Sequence, residues 1–229
     1  MMGAFGKFLE LSLPAADILR SLGFYRSLGF AELTTGDIRP WHYAVVTDGG
    51  IALGLHGESI DEPALAFVRP NLARQVQALE SAGHEFEFRR LGADEFNEAA
   101  LRTPDGHLIL MMEARTYSPG AAGDRPDCLL GRCTEVTLPC ADVEATRRFF
   151  ETAGFLASGD EADDAVRLHT PGITLGLRAT SGTAATLRFT TADSRAALRL
   201  LEAQALRPAR TTEGYVIRAP EGTRLILEL

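Results

Sequence analysis

Phe8-Leu-Glu-Leu-Ser-Leu-Pro-Ala-Ala-Asp17 and Cys133-Thr-Glu-Val-Thr-Leu-Pro-Cys-Ala-Asp142 are two versions of one segment. From them the correspondence runs outward. Glu10, Leu13, Pro14, Asp17, Phe24, Gly29 and Phe30 recur as Glu135, Leu138, Pro139, Asp142, Phe149, Gly154 and Phe155, each 125 positions on. Ile51-Ala-Leu-Gly-Leu55 returns as Ile173-Thr-Leu-Gly-Leu177, 122 positions on. Leu65, Phe67, Leu79 and Glu80 return as Leu187, Phe189, Leu201 and Glu202 at the same spacing of 122. Arg102-Thr-Pro-Asp-Gly106 returns as Arg218-Ala-Pro-Glu-Gly222, 116 positions on. Ordered matches along the whole chain, with a spacing that shrinks only where loops would shorten, mark an internal duplication.

Each copy has a finer rhythm. Phe8 to Leu13 alternates, with Leu9, Leu11 and Leu13 on one side and Glu10 and Ser12 on the other, which predicts a half-buried strand. By that alternation the leucines face a helix layer. Asp17 is placed to cap a helix carrying Ile18, Leu22 and Tyr25 on one stripe, closed by Gly29. Two apolar runs follow, Tyr43–Thr47 and Ile51–Leu55, split by an Asp48-Gly-Gly hairpin signal. The pattern then restarts with a strand over Ala64–Val68, a cap at Asn71 and a helix through Leu72, Val76 and Leu79. A Pro104-Asp-Gly106 turn leads into a strand from Leu108 to Met112. The repeating unit is βαβββ, used four times, and the predicted class is α+β. The predicted division is one domain over 1–115, a Gly- and Pro-rich linker over 116–132 and a second domain over 133–229.

Length and composition agree. A chain of 229 residues holds one large or two small domains. Its formal charge of −8 and lack of a basic run argue against a nucleic-acid or anionic-membrane partner. No apolar run nears the ~20 residues that cross a bilayer, and the first ten residues lack a signal-like apolar core. Three cysteines (Cys128, Cys133 and Cys140) make no disulfide framework, so the expected setting is the reducing cytoplasm. No phosphate-cradling glycine loop, nucleophile elbow or His-Glu-x-x-His is present. A monomer or homodimer is expected.

The residues quoted so far resemble the vicinal oxygen chelate superfamily, which includes glyoxalase I, bleomycin-resistance proteins and extradiol dioxygenases. Three pieces carry the resemblance. A strand runs into Asp17…Phe24-Tyr25…Gly29-Phe30, the same piece recurs as Asp142…Phe149-Phe150…Gly154-Phe155, and a Pro-Asp/Glu-Gly turn precedes the last strand of each copy. The resemblance implies two curved mixed-sheet, glyoxalase-like domains, each built from a pair of βαβββ units, with a ligand or metal inside the curve.

It also implies where a metal would be held. The first place is a His or Gln on the opening strand, filled here by Glu10 and Glu135. The second lies on the strand opening the next unit, filled by Ala64 and Thr186, and the third is filled by Leu110 and Ile226. A catalytic zinc usually has three protein ligands, so one carboxylate per copy is too few. Of the five histidines, His84, His107 and His169 border turn signals and are expected to face solvent. His42 and His56 lie on or beside strands. No cofactor is therefore expected, with a divalent metal as the alternative.

The leading expectation is binding of a small, partly apolar molecule in the first copy. Glu10, Ser12, Trp41, His42, Leu108, Leu110 and Met112 would line its pocket. Glu10 and Glu135 are the candidate catalytic residues, as base or ligand, if the protein is a metal-dependent lyase, isomerase or dioxygenase. A scaffold that binds a partner is the remaining class. Arg188 and Arg224 stand on strands of the second copy, where they would pair with Glu135 or Glu228.

Overall fold

The computed structural model describes residues 3–34, 42–58, 60–114, 128–158, 165–180 and 185–228. The first copy contributes β1 (Lys7–Pro14), α1 (Ile18–Ser27), β2 (Ala31–Leu33), β3 (Tyr43–Thr47), β4 (Ala52–His56), β5 (Ala64–Arg69), α2 (Leu72–Ser81), β6 (Phe86–Arg90), β7 (Glu98–Arg102) and β8 (Leu108–Glu113). The second contributes β9 (Arg132–Cys140), α3 (Val143–Thr152), β10 (Leu156–Ser158), β11 (Ala165–Thr170), β12 (Ile173–Ala179), β13 (Thr186–Thr190), α4 (Ser194–Ala203), β14 (Ala209–Thr211), β15 (Gly214–Arg218) and β16 (Arg224–Leu227). Each copy forms an eight-stranded mixed sheet, ordered β2-β3-β4-β1-β5-β8-β7-β6 and β10-β11-β12-β9-β13-β16-β15-β14. The two orders are identical under the duplication, and each contains a parallel pair, β5 with β8 and β13 with β16. The α+β class and the four βαβββ units stand as read from sequence. Residues 116–127 of the predicted linker lie outside the described residues.

Three of the four helices start on an aspartate cap, Asp17 as predicted among them. Asp17, Asp142 and Asp193 each accept a backbone N–H three residues on, at 3.0, 2.9 and 2.9 Å. Asn71 does not cap with its side chain. It sits before α2 with φ of 55°, the left-handed conformation that asparagine tolerates.

The opening strand corrects one sequence reading. In the second copy the β9–β13 register slips, pairing Arg188 with Glu135 but Phe189 with Cys133, so Thr134 is an extra, bulged residue. A bulge of one residue reverses the facing of everything before it. Phe8 and Leu9, the counterparts of Cys133 and Thr134, show the consequence. The Phe8 ring meets Phe67 at 5.6 Å, on the helix side. Leu9 packs with Ala66, Val68, Leu110 and Met112 on the opposite face, not on the helix layer.

Contacts sort the chain into two compact units that interleave the sequence. One is Met1–Leu11, Ala64–Pro119 and Leu138–Thr183; the other is Ser12–Pro63, Gly120–Thr137 and Ala184–Leu229. Strands β1 and β9 therefore each contribute to both. The first unit is centred on Phe5, whose ring lies 5.6 Å from Phe67, 5.9 Å from Phe149, 6.4 Å from Phe150 and 6.1 Å from Phe155. The second holds Tyr25 and Phe30 at 5.2 Å, with Phe189 6.2 Å beyond Phe30.

The Pro-Asp/Glu-Gly turns clasp each unit. In the first, Asp105 accepts N–H groups of Ala141 at 2.7 Å and Asp142 at 3.3 Å, and the Thr146 hydroxyl at 2.6 Å. Burial acts to raise this carboxyl, but those donors outweigh it and hold it below the ordinary carboxylate range. In the second, Glu221 accepts Ser21 Oγ at 2.7 Å and the Tyr25 hydroxyl at 2.6 Å. Burial, and then the Glu221 charge, push the Tyr25 phenol well above its usual value. Ser21 and Thr146 are duplication partners, so one clasp is used twice with a local change of acid.

Two glycines at the strand entrances are obligatory. Gly6 and Gly131, also 125 apart, have φ of +108° and +81°. A Cβ on them would lie 2.3 Å from the Val68 carbonyl oxygen and 2.1 Å from that of Thr190. Gly131→Ala is therefore expected to cost about 3 kcal/mol, from left-handed strain plus displacement of the neighbouring strand. A shifted denaturant midpoint would record it, and an unchanged midpoint would contradict this account.

Candidate functional site

The first copy's candidate wall is built by register. Phe88 pairs with Ala100, Ala100 with Leu110 and Leu110 with Ala66, so these four lie in one row across the sheet. The flanking rows are Glu98, Met112 and Val68 on one side and Arg102, Leu108 and Ala64 on the other. This face is apolar at its centre. Ala64, Ala66, Val68 and Met112 are buried, while Leu9, Leu108 and Leu110 stay half-exposed as its accessible surface. Phe96, in the loop before β7, is 57% exposed.

Glu10 and Ser12 lie two residues apart on β1, each only 2% exposed, and neither is free of interactions. A carboxylate so buried must be compensated by hydrogen bonds or charge. Leu108, Leu110, Met112 and Glu10 all belong to the first compact unit. His42 belongs to the second unit and is exposed. There it lines a hollow of about 700 Å³ with Ile18, Leu19, Leu22 and Tyr43. Trp41 lies outside the described residues.

The second copy is built differently at the same positions. Arg188 is the duplication partner of Ala66, as Glu135 is of Glu10. The Arg188 side chain is 6% exposed and that of Glu135 5%. The Thr137 hydroxyl donates to Glu135 Oε1 at 2.7 Å and accepts Arg188 Nε at 2.9 Å, with Nε 3.5 Å from the same carboxylate oxygen. Arg188 Nη2 reaches Glu213 at 2.5 Å and Nη1 reaches Glu228 at 3.3 Å. Arg224 adds a 3.3 Å contact to Glu213, although its Nε is buried without a hydrogen-bond partner. Burial opposes ionisation of Glu213, but the Arg188 hydrogen bond and charge hold its carboxyl below the ordinary range. Alternation and register place Arg188 beside Glu135. Glu213 escapes both, because it sits in the β14–β15 hairpin turn, outside any strand.

A metal can now be tested against these residues. In the first copy the implied ligand places carry Glu10, Ala64 and Leu110, two of them without a donor atom. In the second they carry Glu135, Thr186 and Ile226, and the glutamate already faces a guanidinium. Among the described residues no group of three or more His, Cys, Asp and Glu side chains is arranged to hold an ion. These residues do not fit the metal that the resemblance implies.

The other four histidines each make a contact within the fold. His107, expected at the surface, is buried, and its Nε2 lies 2.7 Å from the Pro139 carbonyl, so that nitrogen carries the donated proton. His56 is buried against the Tyr43 ring at 4.6 Å, and His84 stands edge-on to Phe149 at 5.1 Å. His169 lies between Ser158 at 2.5 Å and Thr174 at 3.1 Å. Burial pushes the Cys128 and Cys140 thiols up to about 12, and Cys133 higher still with help from the Asp48 carboxylate. None of the three is a thiolate at neutral pH, so none has the activation that nucleophilic cysteine needs.

Solved structures place the fold. The chain is similar to homoprotocatechuate 2,3-dioxygenase from Brevibacterium fuscum, with a TM-score of 0.67 at 17% identity over 96% of this chain and 70% of that one. The Arthrobacter globiformis enzyme of the same name gives 0.67 at 16% identity, over 96% and 78%. A catechol 2,3-dioxygenase gives 0.61 at 14% identity, over 98% and 87%. No family model and no curated protein matches the sequence. The fold is that of these extradiol dioxygenases. At these identities the likeness speaks of fold, and function rests on the site.

Proposed function

We propose that the protein binds a small, partly apolar molecule on the helix-free face of the first copy, without the standard metal site. The observation that carries this reading is the row Ala66–Leu110–Ala100–Phe88, with half-exposed Leu9 and Leu108 beside it and the buried carboxylate of Glu10 on the adjoining strand. An apolar floor with few polar groups is the usual make-up of a small-molecule site. Sequestering a ligand asks nothing more of it. Glu10 would orient polar atoms of the ligand, while Leu108, Leu110 and Met112 cover its apolar part.

A compound that binds only the folded state stabilises it by about 2.7 kcal/mol at a hundred times its Kd, worth several degrees of melting temperature for a chain of this size. A panel of small aromatic and alicyclic compounds should contain such a stabiliser. Leu110→Lys should weaken it at least tenfold while leaving the unliganded melting temperature within a few degrees. Equal affinity in the variant would remove this face from consideration.

A second reading is a metal-dependent lyase, isomerase or dioxygenase using Glu10 or Glu135. It is favoured by the dioxygenase names of the similar structures. Metal content of the purified protein separates the two readings. Stoichiometric bound metal together with catechol ring cleavage would establish the second.

A further inference from the structure

The second copy's misfit with a metal has a positive counterpart. We infer that its helix-free face is a guanidinium site, filled from within by Arg188, where the fold elsewhere would hold an ion. Four acceptors surround the guanidinium. Thr137 Oγ1 and Glu135 Oε1 lie at Nε, Glu213 Oε1 at Nη2 and Glu228 Oε1 at Nη1, at 2.9, 3.5, 2.5 and 3.3 Å. Each of its nitrogens thus has a partner, spread around a flat group. An ion instead needs its donors converging on a point. The carboxylates do not form an ion-sized cluster, as the absence of any such group among the described residues confirms.

The charges also fit this assignment. Glu135 is buried, whereas Glu213 and Glu228 are 39% and 33% exposed, so the innermost carboxylate depends most on the arginine. Planarity matters because a fork of fixed N–H donors serves several carboxylates at once, which a compact ammonium cannot copy. In the first copy the arginine's place is taken by Ala66, and the carboxylates corresponding to Glu213 and Glu228 are absent, replaced by Asn97 and Met112 at the spacing of 116. Arg188, Glu213 and Glu228 are thus replaced together, while Glu135 and Thr137 keep counterparts in Glu10 and Ser12. This inference concerns the second copy and stands apart from the ligand proposed for the first.

The test is rescue of Arg188→Ser, followed by thermal unfolding of the full chain. Wild-type protein should melt at the same temperature in EDTA and in 1 mM MnCl2. The serine variant should melt well below it, and 20 mM ethylguanidinium chloride should restore at least half of the loss. Equal concentrations of tetramethylammonium chloride or 1 mM MnCl2 should not. Arg188→Lys, which keeps charge but not the planar fork, should also melt clearly lower than wild type. If the serine variant folds only when ethylguanidinium is present during refolding, the inference is likewise supported. Recovery by Mn²⁺ equal to that by ethylguanidinium would overturn it. So would a Mn²⁺ response of the wild type that Glu135→Gln abolishes, recovery by no cation at all, or a lysine variant as stable as wild type.

Discussion

Phe5→Ala is expected to lower stability by about 3–5 kcal/mol, the range for removing a large aromatic side chain from a closed core. Phe5 is fully buried and touches four other rings, drawn from β5, α3 and the residue before β10. Ring pairs of this kind add about 0.5–1.5 kcal/mol beyond area alone. The surrounding rings come from separate elements held by sheet and helix hydrogen bonds, so they cannot close the space by simple collapse. For a chain of this size the loss corresponds to about 10 °C of melting temperature. Phe5→Leu keeps most of the volume and should cost less than half as much. Calorimetry or denaturant unfolding of the pair decides the matter. If alanine costs under 1 kcal/mol, the ring cluster is not the centre of this unit.

Arg188→Met should be of similar severity, about 3–5 kcal/mol, for a different reason. The methionine replaces much of the aliphatic stem but takes the guanidinium away from Glu135, 5% exposed. The cost is that of a buried charge deprived of its guanidinium, not of a lost cavity filling. Glu213 and Glu228 contribute less, because each can turn toward water. The double variant Arg188→Met/Glu135→Gln removes the stranded charge while keeping an acceptor for Thr137, and should recover most of the loss. A double-mutant cycle therefore reads out a coupling of several kcal/mol between positions 135 and 188. Additive effects would mean that the network is solvated, and that its geometry carries little energy.

Much of this was legible along the chain. The duplication, the βαβββ rhythm, the Asp17 cap with its recurrence at Asp142 and the apolar strand around Leu110 follow from residue type and spacing, and the loss of donors at the metal places follows from the resemblance. Phe5 was not legible, because a lone aromatic in Ala4-Phe5-Gly6 has no periodicity, and its partners lie more than 60 residues away. Leu9 was misread, because alternation assumes an unbroken pleat and one bulged residue reverses it. His107 was placed at the surface by its turn, yet that turn inserts against the strand ending in Pro139-Cys140.

The sequence by itself determined that one unit is written four times and that each copy retains a single glutamate where a metal site would need more. The repeat needs nothing beyond periodicity and spacing, which are local properties, while the metal places are what the resemblance implies. Only the tertiary structure decided that Arg188 meets both of the glutamates open to it, Glu135 and Glu228, and that it also gathers a hairpin-turn glutamate 25 positions further along. It also decided that each Pro-Asp/Glu-Gly turn clasps a helix from the other half of the chain. Those pairings are set by how strands register and helices dock, and such long-range contacts leave no mark on the order of residues along either strand.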